Sequence, residues 1–460
     1  MDRRRFAKIS GATAAALTLG GTRLLPNVVA QSTNLVFWDT LNSEPRQSII
    51  EGLAASVGES TGATVEHRGW TLEELSSTLP RSVDSNQGPD IAQVNNGESL
   101  AGPMIRAGQL VSLAPYIAQY GWDQHLPPAL AARNMYSEDG TVFGQGQLWG
   151  ISIEAEVVGF YYQRSRFQEN GVEGPTTFAE LETLMQTLLD AGVTPLVFGN
   201  SDGWPAIHLF GEILGTMVSR DYLDGLIYRT GGISFEDEAM VAAATKLQEW
   251  ATRGFLQEGF SAITADDAAA LFQSGEGAML MQGSWQAPAV AEALGDNGGF
   301  FLMPPTTAQV GGSATPSPVA SPSPVAGATP QAGGGGTVLH VGGVGIPYSI
   351  ITGAENPDLA AEFINALISP EAAGALFDVG VLASAEVPAD KIQPNTVTGD
   401  LFTAWNQVLA SDSLGHYLDW ASPTMYDTIT AELQRLLAGE TDPQAFATAI
   451  QADYAQSFSS

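Results

Sequence analysis

Residues 268–285 read AAALFQSGEGAMLMQGSW. Ala268, Leu271 and Phe272 fall on one face of a helix, and Gly275 and Gly277 stop it, because glycine readily takes the left-handed conformation that ends helices. Ala278-Met279-Leu280-Met281 is an apolar run long enough for one buried strand. Gly283-Ser284-Trp285 closes it. Glycine there lets the backbone turn, and the indole can project past the sheet edge, where open α/β sheets place their ligand crevice. A tryptophan packed in a core strand is the alternative.

The same alternation runs through the chain. Leu35-Val36-Phe37-Trp38 is a strand, Ile49, Ile50, Leu53 and Val57 mark a helix, and residues 63–67 form a second strand. This β–α–β opening begins a doubly wound sheet. Residues 88–94 form a further strand that ends in Asn95-Asn96-Gly97. Thr177 with Glu180 makes a capping box for a helix that buries Phe178, Leu181, Met185 and Leu188. Helices are expected at about 235–253 and 265–274, capped by Ser234 and Thr264. Asn356-Pro357, Ser369-Pro370, Ser422-Pro423 and Asp442-Pro443 each read as a helix start.

The chain of 460 residues suggests two to three domains. Its formal charge is −32, although the first thirty residues are net basic. Such a surface repels nucleic acid and anionic headgroups, and it argues against a strongly anionic ligand unless an arginine pocket is hidden. Lys8, Lys246 and Lys391 are the only lysines. Cysteine is absent, which excludes disulfides, thiolate metal sites, cysteine nucleophiles and a lipidated cysteine anchor. No P-loop or H-E-x-x-H motif occurs. No metal or cofactor is expected. Asp2-Arg3-Arg4-Arg5-Phe6-Ala7-Lys8, an apolar run at 9–21 and Val28-Val29-Ala30 before Gln31 resemble a twin-arginine export signal with its cleavage site. Residues 306–336, rich in Pro, Ser, Ala and Gly, lack aromatic and charged side chains and are expected to form a disordered loop inserted within a domain.

Taken in order, these phrases resemble the family 1 extracellular solute-binding proteins, the maltose-binding-protein-like receptors of bacterial ABC importers. The opening stretch fits F-x-x-G-x-x-A-M-x-x-x-G-x-W. Pro89-Asp90-Ile91, Gly108-Gln109-Leu110, Gly203-Trp204-Pro205 and Ser369-Pro370-Glu371-Ala372 match further family phrases in order. Ser152 and Gln163 stand where the family usually has proline and asparagine. The resemblance implies an α/β, two-lobed, periplasmic-binding-protein-like fold with mostly parallel sheets, three interlobe crossings and a ligand cleft between the lobes. It implies crossings at 148–154, 300–305 and 378–383, with the glycine-rich residues 339–346 returning to the first lobe. The division is then signal 1–30, first lobe 31–150 and 337–380, second lobe 151–305 and 381–460, with the loop at 306–336. An exported, monomeric carbohydrate receptor that docks on a membrane permease is implied, with another small solute such as a glycerol phosphate as the alternative.

A sugar has hydroxyls on its rim and C–H groups on its faces, so its site needs aromatic plates and short polar side chains. Trp285, Trp204, Trp420 and Trp38 lie near inferred strand ends or loops, although Trp38 and Trp122 are equally consistent with core packing. Asp39, Asn42, Asn95, Asn96, Glu154 and Asp419 are the polar candidates, with capping or solvation as the alternative for each. Gly342 and Gly343 would admit a ligand close to the backbone.

Gly199-Asn200-Ser201-Asp202-Gly203 also fits G-x-S-x-G, the nucleophile elbow of α/β-hydrolases, with His340 or His416 as the base. Trp204-Pro205 interrupts the helix that should follow the serine at once, and no His-Gly oxyanion segment precedes it. A glycosidase would need two facing carboxylates, which a chain this acidic supplies by chance. Two outcomes are expected. Deleting residues 311–336 and joining the ends by a short flexible turn should leave Tm and ligand affinity unchanged; a large fall in Tm would show that the segment packs. Replacing Arg3 and Arg4 by lysine should trap the precursor in the cytoplasm, because a receptor reads the arginine pair and not the charge alone.

Overall fold

The computed structural model describes residues 34–42, 44–122, 128–230, 232–306 and 337–457. The export segment and nearly all of the Pro/Ser/Gly stretch lie outside the described residues. β1 (Asn34–Asp39), β2 (Thr64–Gly69) and β3 (Ile91–Gln93) pair in parallel with β1 in the middle. Helices Arg46–Thr61 and Leu72–Asp84 connect them. A small hairpin of β4 (Met135–Tyr136) and β5 (Gln147–Leu148) precedes the passage to the second lobe. There β6 (Ala155–Gln163) is flanked by β8 (Met279–Gly283) on one side and by β9 (Gly298–Phe301) and β10 (Gly342–Val344) on the other, and β7 (Leu196–Val197) extends the sheet beyond β8. β11 (Tyr348–Ile350) returns to the first sheet, antiparallel to β3.

Two α/β lobes joined by three crossings are as expected, but one crossing lies elsewhere and the second sheet differs. The second sheet is mainly antiparallel, and only β7 and β8 run together. β6 enters the lobe from the hinge, whereas β8, β9 and β10 run back towards it, so each opposes β6. Residues 300–305 are not a crossing, since Phe300 and Phe301 pair with β6 and the Pro305 carbonyl accepts from Phe178 N–H in the second lobe. Residues 342–344, assigned above to the first lobe, belong to the second sheet. A Cβ on Gly342 would lie 2.3 Å from the Glu156 carbonyl oxygen, so only glycine lets β10 approach β6 this closely. Thr177, Thr264, Asn356, Ser369 and Asp442 cap their helices. Ser234 does not: its hydroxyl donates to Gln451 and holds a turn, and the helix waits until Glu238. Ser422 donates instead to Asp453, and that helix begins at Met425.

At the hinge three segments lie side by side. Residues 151–155 form the middle one. Ile151 and Tyr348 exchange backbone hydrogen bonds on one side, where Gly345 N–H also reaches the Glu154 carbonyl. On the other side Ala155 N–H donates to the Leu382 carbonyl, and the Ser384 hydroxyl donates to the Glu154 carbonyl at 2.9 Å. Asp39, at the end of β1, is fully buried against this hinge. Its carboxylate accepts from the Tyr348 hydroxyl at 2.6 Å, from Leu41 N–H at 3.0 Å, and faces His67 Nε2 at 2.7 Å.

Candidate functional site

Strands of both sheets end at the gap between the lobes, and the segments after them form its walls. The first lobe supplies Thr40 and Asn42 after β1, Arg46, residues 70–73 after β2, and Asn95 and Asn96 after β3. The second lobe supplies Glu156, Asp202, Trp204, His208, residues 264–266, Trp285, Tyr417, Asp419, Trp420 and Tyr426. Val344 and Ile346 from the hinge close the floor. The cavity has a volume of about 530 Å³, in the range of small-molecule sites.

One wall is aromatic. Trp285 follows β8 on a short helical turn, half-buried, and its ring folds back over Gly283, where a Cβ would lie 1.9 Å from the indole. Trp204 opens the helix Trp204–Gly215 and meets Trp285 edge to face at 5.9 Å. His208, one turn on, touches Trp204, Trp285 and Tyr417 with ring centroids 4.9, 5.9 and 5.0 Å away. Tyr417 packs on Trp420 at 5.2 Å and donates its hydroxyl to Glu156 at 2.9 Å.

Residues 59–374 match the family model described as bacterial extracellular solute-binding protein. The chain belongs to that family. Members are exported receptors of ABC importers; among the described residues no helix is long and apolar enough to cross a membrane. Curated relatives include the osmoprotective compounds-binding protein GgtB of Synechocystis sp., 29% identical over 42% of this chain and 41% of that one, and the multiple sugar-binding protein of Streptococcus mutans serotype c, 22% identical over 35% and 38%. The matches thus span about half or less of those relatives. Among solved structures, a chitin oligosaccharide binding protein superposes with a TM-score of 0.75 at 19% identity, covering 93% of this chain and 99% of that one. The receptor RafE, solved with raffinose, gives 0.67 at 16%, covering 92% and 98%. At these identities the likeness is one of fold.

Of the residues singled out from sequence, Trp285, Trp204, Trp420, Asp419, Asn95, Asn96 and Asn42 line the cleft together. Trp420 is only 2% exposed, with Gly97 against its Cβ and Phe143 against its ring, so it is wall more than free plate. Asn42 and Asn96 are partly committed, donating to the Trp70 and Arg133 carbonyls. Trp38, Asp39, Glu154, Gly342 and Gly343 do not line the cleft. Trp38 is core, packing on Trp70 at 5.0 Å with the Arg68 guanidinium over both rings. Asp39 is consumed by the hinge. Glu154 is buried against Arg46 at 3.4 Å. Gly342 pairs with β6, and Gly343 backs onto Arg133.

Sequence reasoning missed Trp70, Glu156, Tyr417, His208 and Asp202. The rule that selected residues after β1 and β3 selects Trp70 when applied to β2. Glu156 lies two positions beyond Glu154 on the same face of an extended segment. His208 follows Trp204 at helical spacing. Nothing local marks Tyr417. The hydrolase alternative loses its base: His340 faces Glu212 at 3.3 Å, His416 faces Asp224 at 2.6 Å, and among the described residues neither bonds to Ser201.

Burial pushes the Glu156 carboxyl up to about 7 in spite of the Tyr417 hydrogen bond, and burial pushes Asp419 up to about 6. Burial drives His208 down to about 3, so its ring is neutral. The folded state therefore holds protons on Glu156 and Asp419 that the unfolded chain has already released. The stability this adds is fully present below the ordinary carboxylate range and is lost as pH rises through 6 and 7. Relative to the parent, the unliganded Glu156→Gln, Asp419→Asn double variant should gain Tm progressively from pH 5 to 8. A Tm difference that stays constant over that range would contradict these assignments.

Proposed function

We propose that the protein captures a carbohydrate in the interlobe cleft and, in its closed form, delivers it to an ABC permease. The observation that carries this reading is the joint presence, in one cavity walled by both lobes, of half-buried indoles and acceptor side chains. Trp70 comes from the first lobe, Trp204 and Trp285 from the second. Acceptors and donors of both kinds, Asn42, Asn95, Tyr417 and Asp419, surround them. Carboxylates and amides bind hydroxyls, and indole faces bind the C–H faces of a ring. Burial of about 100 Å² of apolar surface on one indole contributes roughly 2–3 kcal/mol. Two such plates with polar contacts reach micromolar affinity, about −8 kcal/mol. Binding of sugars by the structural neighbours named above supports the same class.

A glycerol phosphate fits less well. Glu73, Glu156, Asp202, Asp266 and Asp419 line the cleft against the single guanidinium of Arg46, which already faces Glu154. The osmoprotectant receptor among the relatives makes compatible solutes the second class to screen.

A thermal-shift screen against mono- and oligosaccharides, with compatible solutes alongside, tests the reading. A ligand at a hundred times its Kd stabilises by about 2.7 kcal/mol. With the ligand found, Trp285→Ala should weaken binding by about 2–3 kcal/mol, some thirty- to over a hundredfold. Unliganded stability should fall much less, because the ring is only partly buried. Unchanged affinity with a loss of about 3–5 kcal/mol of folding stability would mark Trp285 as a core residue instead.

A further inference from the structure

Among the described residues the buried carboxylates are Asp39, Glu98, Glu154, Glu212 and Asp419. Four of them face a basic side chain. Asp39 faces His67 at 2.7 Å, Glu98 faces Arg106 at 2.8 Å, Glu154 faces Arg46 at 3.4 Å and Glu212 faces His340 at 3.3 Å. Asp419 is the exception. It is 7% exposed, lines the cleft, and accepts from its own backbone N–H but from no other described residue. Glu156, which lines the same cavity, accepts from the Tyr417 hydroxyl and feels the positive charge of Arg46, although the two form no ion pair. The other four buried acids each have a basic group against them; Asp419 has none and is left for what enters the cleft.

We propose that the ligand is a carbohydrate bearing a protonated amine, its ammonium against Asp419 and its ring faces on the indoles of Trp70, Trp204 and Trp285. This rests on the sugar-receptor reading and narrows it. Enclosing an unpaired carboxylate when the lobes close is costly unless a counter-charge arrives with the ligand. A neutral sugar brings hydroxyl donors but no charge. An ammonium brings three donors and the charge together. In its ionised form the Asp419 carboxylate offers acceptors only, which matches that donor set. Indole faces attract cations as well as C–H groups. The rim adds to the bias: Glu73 and Asp266 are exposed at the mouth, one on each lobe, and favour cations at encounter.

The test is isothermal titration of the full-length mature protein at pH 7 with sets of sugars that share a skeleton. Each set holds the neutral sugar, its amino counterpart and its uronic acid, drawn from the mono- and disaccharides of the screen above. The expected result is that the amino member of the recognised skeleton binds at least about tenfold more tightly than the neutral one, with no detectable uronate binding. In Asp419→Asn, and in the double variant with Glu156→Gln, the ratio of amino to neutral affinity should fall to within about twofold. Unliganded Asp419→Asn should keep or raise its Tm, because an enclosed unpaired charge is removed. Neutral sugars binding as tightly as amino sugars would overturn the proposal and leave the sugar-receptor reading standing. So would an affinity ratio that survives in the variants, or a large Tm loss in Asp419→Asn, which would mean that the protein itself satisfies that charge. Failure of every sugar to bind would overturn both.

Discussion

The backbone pairing of three adjacent segments at the hinge is the constraint on which the rest depends. Residues 151–155 are held on one side by the strand that joins β10 to β11 and on the other by Leu382 and Ser384. Each segment runs on into a strand or core of one lobe, so the two sheets cannot drift apart, yet a small rotation about these few residues changes the angle between them. Multiple extended crossings form such a hinge because bending spreads over several backbone torsions. The cleft exists because this arrangement points strand ends of the two sheets at one another.

Charge at the hinge and charge in the cleft are handled differently. Asp39 sits where β1 leaves the sheet and is enclosed by Tyr348, His67 and the Leu41 amide, which tie β1, β2 and β11 together. Arg46 and Glu154 face one another beside it. Asp39 is used up by these contacts, whereas Arg46 still borders the cleft. Glu156, two residues beyond Glu154, and Asp419 instead line the cavity. The chain carries few cations and spends them on its structural acids, so the cleft is left anionic.

The aromatic wall is equally a product of support from behind. Trp285 keeps its orientation because Gly283 has no side chain beneath the ring. Trp204 is fixed at the head of a helix that is buried along nearly its whole length. Trp70 rests on Trp38, with Arg68 over both rings. Plates held by packing lose little freedom on binding, which favours affinity through preorganisation.

How much of this was legible in the sequence depends on the range of the interaction. Helix caps such as Thr177, Asn356 and Ser369, the opening β–α–β unit, and the strand that ends at Trp285 are local patterns, and periodicity and turn chemistry determine them. Family phrases carried the two-lobed architecture. The direction of the strands around β6, the pairing of β10 with it, and the crossing at 345–347 in place of 300–305 depend on contacts between residues far apart in the chain, which no local period encodes. The candidate site divides in the same way. Being next to a strand end was readable for Asn42, Asn95 and Trp285. Whether a side chain at that end faces the cleft or the core was not, as Trp38 and Asp39 show. Glu154 and Glu156 are chemically alike and two residues apart; only the tertiary structure decided which meets Arg46 and which faces the cavity, because that choice is made by the neighbours that folding brings to each.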